Sequence, residues 1–479
     1  MDYMLSGNNT IIEPQRSLPI RTDCDVLVAG GGTAGCIAAL AAARQGVKTV
    51  LIEQQGSLGG TIINGAVTVH SFFNVYETTE GGEEKQVVKG IAEEIFNRIV
   101  EAGGSPGHVK VITGGGYDPY CSPIDHEVAK AVLAEMMEEA GVNVFLHSFV
   151  SDVIMNGNTI RGVVMESVSG REAILCKSCV DCTGNGDIAA HAGAPFGELH
   201  SKYSVDLTFG IAGIDFDKFV TYIEENNLCM QKAIGTKLDG TEGYIRYCVQ
   251  FGDVPEIELE CKKNQELLGK TAAPSMGRRL GASFTSLYKD SVSYVNFYRL
   301  GIGGLNPTDV EEVTRGEMIL HKDVIRIAQW LRTNIPGFAQ CYISWTAQQM
   351  ANRASRIIKA EYDLSDEEIC NATKFEDEIA YTGFHDLSMS GHKIKDAGYV
   401  GLPYRMLIPK KVKGLLVAGK SLTSEQAAHQ CTRIGVACMS MGQAAGTAAA
   451  LAVKQGINPD KIEVKELQKK LKEDGVYLE

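Results

Sequence analysis

Residues 25–35 read Asp-Val-Leu-Val-Ala-Gly-Gly-Gly-Thr-Ala-Gly, and the glycines form the pattern Gly30-x-Gly32-x-x-Gly35. The apolar run before the glycines predicts a strand, and the alanine-rich, proline-free segment after them predicts a helix. Gly30 lets the chain turn sharply off the strand, Gly32 lets a pyrophosphate approach the backbone, and Gly35 lets the helix pack close to the strands. The stretch therefore predicts a strand–turn–helix unit that binds a dinucleotide.

A second predicted strand, residues 48–52, ends at Glu53. Glu53 lies 23 positions after Gly30, where a carboxylate can accept hydrogen bonds from both hydroxyls of a nucleotide ribose. The same carboxylate would repel a 2′-phosphate, which argues against NADP at this site. At the helix start, the exposed N–H groups of residues such as Thr33 and Ala34 favour phosphate. The alternative for the glycines alone is an ordinary glycine-rich turn.

The 479-residue chain carries a formal net charge of −13, with 44% hydrophobic and 22% charged residues. This length predicts roughly two or three domains. The acidic charge argues against binding nucleic acid through phosphate neutralisation. No apolar run is expected to reach the roughly 18 residues of a membrane span, and the start lacks the basic and apolar regions of a signal peptide. We therefore expect a soluble, cytoplasmic protein.

Other glycine-rich elements follow predicted strands. Residues 59–61 (Gly-Gly-Thr) come just after Glu53, and residues 183–187 (Thr-Gly-Asn-Gly-Asp) follow another apolar run. Near the end, a strand-like run leads into Gly419, and a long small-residue helix is predicted over 436–455. A compact binding site for one nucleotide half would not need so many elements, so we expect a long, extended dinucleotide.

The predicted elements divide the chain into two kinds of segment. Residues 1–200 and 396–479 carry the glycine-bearing strands and helices, whereas residues 201–395 lose that alternation. The sequence predicts an α/β fold, with a discontinuous Rossmann-like dinucleotide-binding domain and an inserted α+β substrate or cap domain. We expect a helix over 345–360.

Several motifs occur together in one order along the chain: Ile11-Ile-Glu-Pro-Gln-Arg-Ser-Leu-Pro, Gly30 to Gly35, Leu58-Gly-Gly, Val180-Asp-Cys-Thr-Gly-Asn-Gly-Asp, Pro336-Gly-Phe, Arg353-Ala-Ser-Arg-Ile-Ile with Glu361-Tyr-Asp-Leu, and Leu416-Val-Ala-Gly-Lys-Ser through Arg433 to Met441-Gly-Gln-Ala-Ala-Gly. With them the chain resembles the bacterial FAD-dependent oxidoreductases. These have the glutathione-reductase-like FAD fold and are related to the flavoprotein subunits of succinate dehydrogenase and fumarate reductase. The resemblance runs nearly end to end.

The resemblance implies FAD as cofactor and assigns residues to it. The ADP half would contact the first glycine turn, the helix start and the acidic residue: Gly30, Gly32, Thr33, Ala34, Gly35 and Glu53. The adenine, pyrophosphate and ribityl contacts would come from Val150, Gly59, Gly60, Thr61, Gly184, Asp187 and Gly419. Gly442 and Gln443 would place a helix N-terminus beside the flavin and stabilise its anionic reduced form.

Two positions depart from the family pattern. Relatives usually have Asp at Asn185, and Gly-Val-Arg where this chain has Ala351-Asn352-Arg353. The first change lies beside the nucleotide turn. The second could alter the face that meets the substrate.

Four side chains are candidates for handling substrate. Arg433 and His429 directly precede the flavin helix, and Arg433 could pair bidentately with a substrate carboxylate. His385 lies in a polar stretch that could place an imidazole over the flavin or be an exposed loop. Arg353, which would share a helix with Arg356, is either a substrate contact or solvated surface charge.

The spacing of three cysteines suggests an iron–sulfur site as an alternative. Cys176-x-x-Cys179-x-x-Cys182 has spacing similar to iron–sulfur motifs. It lies on a predicted strand, where side chains three apart point to opposite faces, so these cysteines cannot converge on one cluster. We therefore expect no metal site and treat most of the 13 cysteines as small buried residues.

The sequence thus predicts a FAD enzyme that passes a hydride between a small organic substrate, anionic or hydroxylated, and flavin N5. The alternative is a flavin-bearing electron-transfer subunit with an iron–sulfur partner protein, which an exposed strip at Cys176–Cys182 would favour. A tRNA-modifying role shares the first motif, but the acidic charge opposes it. There is no obvious second dinucleotide fingerprint. The substrate, the redox partner and the oligomeric state stay open.

Overall fold

The computed structural model describes residues 4–6, 10–13, 15–65, 71–75, 83–112, 119–267, 280–383 and 394–479. Its strands are, in chain order, β1 Met4–Ser6, β2 Thr10–Ile12, β3 Ile20–Ala29, β4 Thr49–Ile52, β5 Val109–Lys110, β6 Tyr120–Cys121, β7 Asn143–Phe145, β8 Phe149–Asn156, β9 Thr159–Ser167, β10 Gly170–Asp181, β11 Phe196–Glu198, β12 Ser204–Val205, β13 Phe209–Ala212, β14 Cys229–Thr236, β15 Glu242–Gln250, β16 Gly281–Thr285, β17 Ser291–Phe297, β18 Ile302–Gly303, β19 Tyr342–Thr346, β20 Arg356–Ile358, β21 Glu378–Thr382, β22 Val400–Pro403 and β23 Leu415–Val417.

The α-helices are α1 Thr33–Arg44, α2 Gly60–Ile63, α3 Ile91–Glu101, α4 His126–Glu139, α5 Asp187–His191, α6 Phe216–Glu225, α7 Glu260–Leu267, α8 Val310–Asn334, α9 Asp366–Cys370, α10 Gln426–Thr432, α11 Gly435–Gln455 and α12 Val464–Glu473. The start of α4 shows how sequence sets a boundary. Its N-cap Asp125 accepts hydrogen bonds from the backbone N–H groups of Glu127 and Val128, which satisfies donors that have no partner within the helix.

A seven-stranded sheet organises the first core, with strand order β7-β4-β3-β10-β9-β8 and β23 paired to β10. Strands β7, β4, β3, β10 and β23 run parallel, and β8 and β9 form an antiparallel hairpin. The apolar residues of β3 from Cys24 to Ala29 and those of β4 are almost completely buried, as expected for a parallel sheet covered on both faces. This sheet confirms the predicted α/β, Rossmann-like class.

Helices α1 and α11 pack against each other in the first core, and their small residues allow close contact. A Cβ placed on Gly442 would lie 2.2 Å from the carbonyl oxygen of Ala34, and one on Gly446 would lie 2.1 Å from that of Ala38. The backbones therefore approach too closely for any side chain at either position. Both glycines serve helix packing.

The second core is built on a six-stranded antiparallel sheet with the order β14-β15-β16-β17-β13-β19. Its buried residues lie between Val205 and Met350 and include the apolar face of α8. The segments that follow return to the first core: Ile358, Leu364 and Tyr381 are all buried there. The inserted unit thus ends near residue 350, which differs from the predicted boundary at 395.

Helix α11 is long and apolar enough to cross a membrane by length and composition, with a mean hydropathy of 1.4 over an 18-residue window. The sequence expectation that no run would reach this length was therefore wrong. In the structure, 89% of that window is buried inside the protein. A core helix passes the same test, so α11 is weak evidence for a membrane span.

Candidate functional site

The carboxyl ends of four parallel strands meet at one edge of the large sheet. Register pairs Asp181 at the end of β10 with Ala29 of β3 on one side and with Val417 of β23 on the other, and Ala29 pairs with Ile52 of β4. Each strand is followed by residues that were predicted to bind the cofactor: Gly30 after β3, Glu53 after β4, Gly184 after β10 and Gly419 after β23. The sheet thus gathers four segments that are far apart in sequence, at the edge where ligands bind in open α/β sheets.

The first turn follows the predicted geometry. Gly30 has φ of +92°, which favours glycine, and a Cβ there would lie 2.5 Å from the carbonyl oxygen of Cys182. A Cβ on Gly35 would lie 1.8 Å from the carbonyl oxygen of Gly30. Gly30 lines the cavity described below, whereas Gly35 faces the strand. Gly35 therefore acts through packing.

A cavity of about 850 Å³ opens above this edge and is lined by residues of both cores. Ligand pockets usually measure roughly 300–1,000 Å³, so the cavity is large enough for an extended cofactor. Most of the predicted cofactor residues line it, and they are Gly30, Gly32, Thr33, Ala34, Glu53, Gly60, Thr61, Val150, Gly184, Asp187 and Gly419. Their gathering supports the predicted roles.

Glu53 lies at one side of the cavity and is buried. Its Oε2 accepts a 2.7 Å hydrogen bond from the N–H of Gly31, and its Oε1 accepts a 2.7 Å bond from the N–H of Gln55. Burial raises the pKa of this carboxyl, while the backbone donors oppose that rise. The carboxylate is thus held in one orientation at the end of β4.

The start of α1 is open to a ligand. Its N-cap is Gly32, which provides no side-chain hydrogen bond to the first turn. A Cβ on Gly32 would meet no atom closer than the Cα of Gly60, at 3.8 Å, so a side chain there would occupy cavity space. Thr33 Oγ1 donates a 3.2 Å hydrogen bond to the carbonyl of Gly59, which holds the second glycine element against the first. Gly59 itself lies outside the cavity wall.

Asp181 organises the third turn, although the sequence analysis did not single it out. Its Oδ1 accepts hydrogen bonds from the N–H and Oγ1 of Thr183 at 3.0 and 2.7 Å, and its Oδ2 accepts one from the N–H of Ala189 at 2.9 Å. Burial raises the pKa of Asp181 to about 6. The motif Asp-Cys-Thr-Gly was visible in the sequence, but its buried hydrogen bonds were not.

Lys420 is a second residue that the sequence analysis missed. Its Nζ donates a 3.0 Å hydrogen bond to the carbonyl of Gly184 and another bond to Oδ1 of Asn352. Burial lowers the pKa of Lys420 to about 8. The cavity wall thus includes an amine whose burial favours loss of its proton.

Arg433 lies at the C-terminal end of α10 and lines the cavity. Its guanidinium carbon is 5.3 Å from the ring centroid of Tyr203, within the range of a cation–π contact. A planar cation stacked on a ring is well placed to bind a carboxylate through two N–H groups. The structure therefore keeps Arg433 as the leading substrate candidate.

His429 is fully buried and does not line the cavity, which contradicts its predicted role. Nε2 donates to the carbonyl of Lys420 at 2.9 Å, since a carbonyl can only accept, and Nδ1 lies 2.9 Å from the hydroxyl of Tyr203. Burial lowers the pKa of His429 to about 3, and the nearby charge of Arg433 adds to this effect. The imidazole is neutral and holds α10 in place.

This neutral imidazole predicts a specific acid sensitivity. Because the folded-state pKa is depressed below its usual value near 6.5, the imidazole's contribution to stability is present above about pH 6.5 and is lost as pH falls toward 3. Below pH 6, the wild type should lose about 1.4 kcal/mol more per pH unit than the His429→Gln variant. Urea unfolding at several pH values measures the difference. His321→Gln, which alters an exposed histidine on α8, is the control. Parallel pH curves for wild type and His429→Gln would contradict this account.

Of the two other catalytic candidates, Arg353 lines the cavity and His385 is not described by the structure. Arg353 lines the cavity, where it donates to Asp206 Oδ2 at 2.5 Å and to the carbonyl of Ser204 at 2.8 Å. The predicted helix over 345–360 is wrong, because β19 ends at Thr346 and β20 begins at Arg356. His385 lies outside the described residues.

The predicted helix over 436–455 is α11, which begins one residue earlier than predicted. Its N-cap is Ile434 and its first residue is Gly435, and both line the cavity. Gly442 and Gln443 lie inside the helix and away from the cavity. Gln443 Oε1 accepts a 2.9 Å hydrogen bond from the N–H of Ile91. Gly442 and Gln443 therefore do not form the helix N-terminus that the resemblance implied, and the residue at the start of the helix is Gly435.

Comparisons with known proteins agree with this geometry. The sequence profile of the family described as FAD dependent oxidoreductase matches residues 25–471. A digeranylgeranylglycerophospholipid reductase of Methanococcoides burtonii is 23% identical over 212 residues, which are 42% of this chain and 48% of the relative. A thiamine thiazole synthase of Methanococcus maripaludis is 30% identical over 177 residues, which are 35% of this chain and 59% of the relative. The chain thus spans about half the length of these curated relatives.

Among solved structures, p-nitrophenol 4-monooxygenase of Pseudomonas putida is similar with a TM-score of 0.45 and 12% identity. The similarity covers 94% of this chain and 84% of that chain.

Proposed function

Because the chain belongs to the family of FAD dependent oxidoreductases, we propose that it oxidises or reduces a small organic anion held between its two cores. The family match confirms the resemblance predicted from the motifs, with FAD as the cofactor and an oxidoreductase as the enzyme class. The finer proposal, a hydride transfer involving an anionic substrate, rests on one observation. Arg433 lines the same cavity as the dinucleotide-binding turn at Gly30.

The residues present fit an extended FAD. Glu53 would hold the ribose of the ADP half, and the uncapped start of α1 would bind the pyrophosphate. Gly435 at the start of α11 would take the place beside the flavin that was predicted for Gly442, because a helix N-terminus favours negative charge. These assignments rest on the carboxylate of Glu53, on the starts of α1 and α11, and on the size of the cavity.

When bound, FAD supplies a site that accepts or gives a hydride. The protein must then orient the substrate and manage a proton. Arg433 would bind a substrate anion through its guanidinium, which the ring of Tyr203 supports from one side. Lys420 Nζ would hold or release the accompanying proton, because its pKa is lowered to about 8 by burial.

The electron-transfer alternative receives no support from the cysteines. Cys176, Cys179 and Cys182 are all buried in or next to β10, so they form no exposed strip. Within the ranges that the structure covers, no cluster of three or more His, Cys, Asp or Glu side chains is arranged to hold a metal ion. An enzyme acting on a small molecule is therefore the better proposal.

Anaerobic mixing tests the proposal. The FAD-loaded protein is combined with a panel of small hydroxy, saturated and unsaturated carboxylates, and the flavin absorbance is followed. We expect at least one carboxylate to change the redox state of the flavin far faster than its neutral methyl ester, because only the anion pairs with Arg433. If no carboxylate reacts faster than its ester, an anionic substrate is wrong. Separate assays with NADH and NADPH examine whether a nicotinamide supplies the electrons.

A further inference from the structure

Arg246 lies on β15 and forms part of the cavity wall on the side of the second core. Its Nη2 donates a 3.4 Å hydrogen bond to Ser283 Oγ. Its Nη1 is buried and has no hydrogen-bond partner within the described part of the chain. A guanidinium offers five N–H donors, so most of this binding capacity is unused within the protein.

The groups around Arg246 bring no negative charge. Its electrostatic neighbours are Cys248, Tyr294, Tyr298 and Cys121. Burial raises the pKa of both Tyr294 and Tyr298, which keeps their hydroxyls neutral. No carboxylate among the described residues lies within ion-pair distance of Arg246. Among the described residues, Arg246 therefore has no carboxylate counter-ion.

Two other arginines of the same cavity have carboxylate partners, unlike Arg246. Arg353 pairs with Asp206 at 2.5 Å, and Arg356 pairs with Asp187 at 2.6 Å. Tyr294 is influenced by the charges of Arg246, Arg353 and Asp206, so it is close to both arginines. The described residues thus supply counter-ions for Arg353 and Arg356 and none for Arg246.

Leaving a half-buried charge unpaired is costly, because the charge has lost part of its water and gained no partner. A cavity wall can recover this cost when the bound ligand supplies the opposite charge. We infer that Arg246 binds a carboxylate of the substrate on the wall of the second core, which makes the substrate class a carboxylic acid. This inference rests on the proposed function for the location of the site, and it adds a second anchor distinct from Arg433. The amides of Gln231 and Asn296, which also line the cavity, are neutral hydrogen-bonding groups suited to the rest of the ligand.

Calorimetric titration of the FAD-loaded protein with acetate, succinate and benzoate tests the inference. We expect Arg246→Gln to weaken binding of at least one of these carboxylates by tenfold or more. Arg246→Lys should weaken it less, since a lysine keeps the charge without the planar fork. Arg161→Gln removes the same charge from an exposed position on β9 and should change nothing. Wild-type affinity in Arg246→Gln, or no carboxylate binding to the wild type, would overturn the inference.

Thermal unfolding of the same FAD-loaded proteins separates a binding role from a structural one. Without added anion, Arg246→Gln should melt no lower than the wild type, because the removed charge has no carboxylate counter-ion among the described residues. With saturating carboxylate, the wild type should melt higher and Arg246→Gln should not respond. A lower melting temperature without anion would show that Arg246 serves the fold, which overturns the inference.

Titration with inorganic phosphate tests whether the ligand of Arg246 is a phosphate instead of a carboxylate. Phosphate binding that requires Arg246, together with no carboxylate binding, would contradict a carboxylic acid. These binding measurements are independent of the redox assay. If carboxylates bind through Arg246 but none changes the flavin, the inference stands and the proposed reaction fails. If carboxylates react equally well in Arg246→Gln, the reaction stands and the inference fails.

Discussion

Replacing Gly442 with alanine should lower the free energy of unfolding by about 3 kcal/mol or more, because the new methyl group meets backbone rather than a movable side chain. The Cβ would lie 2.2 Å from the carbonyl oxygen of Ala34, so α1 and α11 would have to separate. A glycine-to-alanine change within a helix normally stabilises a protein slightly. The predicted sign is therefore opposite to the usual one.

Urea unfolding of the FAD-free protein measures this effect. Gly446→Ala, one turn further along α11, should cause a similar loss because its Cβ would lie 2.1 Å from the carbonyl oxygen of Ala38. Gly197→Ala is the matched control, since the nearest atom to its Cβ is Lys359 Cε at 3.9 Å. If Gly442→Ala kept its stability but lost FAD, while Gly446→Ala lost stability and kept FAD, Gly442 would be a cofactor residue after all.

The second large effect is expected at Arg433. Changing Arg433 to alanine should reduce turnover by about 10²–10³-fold, because a charged hydrogen bond to the substrate anion is lost. The FAD content per protein should stay close to that of the wild type, since the residues proposed to hold the ADP half, Glu53 and the start of α1, lie on another part of the cavity wall. Turnover is measured with the carboxylate found in the anaerobic assay, and FAD is released with acid and quantified.

Two further variants test whether the loss of turnover comes from the guanidinium of Arg433. Arg433→Lys should retain part of the turnover, because it keeps a charge but cannot form a bidentate pair. Arg405→Ala removes an exposed arginine that pairs with Asp377 and should leave turnover unchanged. Equal losses of FAD and of turnover in Arg433→Ala would instead make Arg433 a cofactor ligand.

Burial changed the interpretation of His429 more than that of any other candidate. In sequence it stands four positions before Arg433, and both precede the same helix. In the structure Arg433 faces the cavity, whereas His429 is enclosed by Tyr203 and the carbonyl of Lys420. Tyr203 is 226 residues away along the chain. No local pattern could show which of the two side chains would be covered.

The start of α11 was predicted to within one residue, at Val436, although the sequence there carries no capping signal. Its N-cap is Ile434, whose side chain cannot accept a hydrogen bond from the helix N–H groups. Helix starts are recognised in sequence mainly by Ser, Thr, Asp or Asn at this position. Ile434 offers no such signal, and only the role that the resemblance implied for Gly442 and Gln443 fell about two turns into the helix.

The first dinucleotide-binding turn and its acidic residue could be recognised from residues 25–53 alone. Gly35 and Glu53 contact the turn itself, at the carbonyl of Gly30 and the N–H of Gly31, so residues within this stretch were sufficient to indicate their roles. The close contact of Gly30 with the carbonyl of Cys182 is supplied by the fold. The substrate side depended on the folded chain. Whether Arg246, Arg353 or Arg433 has a counter-ion is set by residues from distant segments that only packing brings together, because charge compensation is a property of space and not of sequence order.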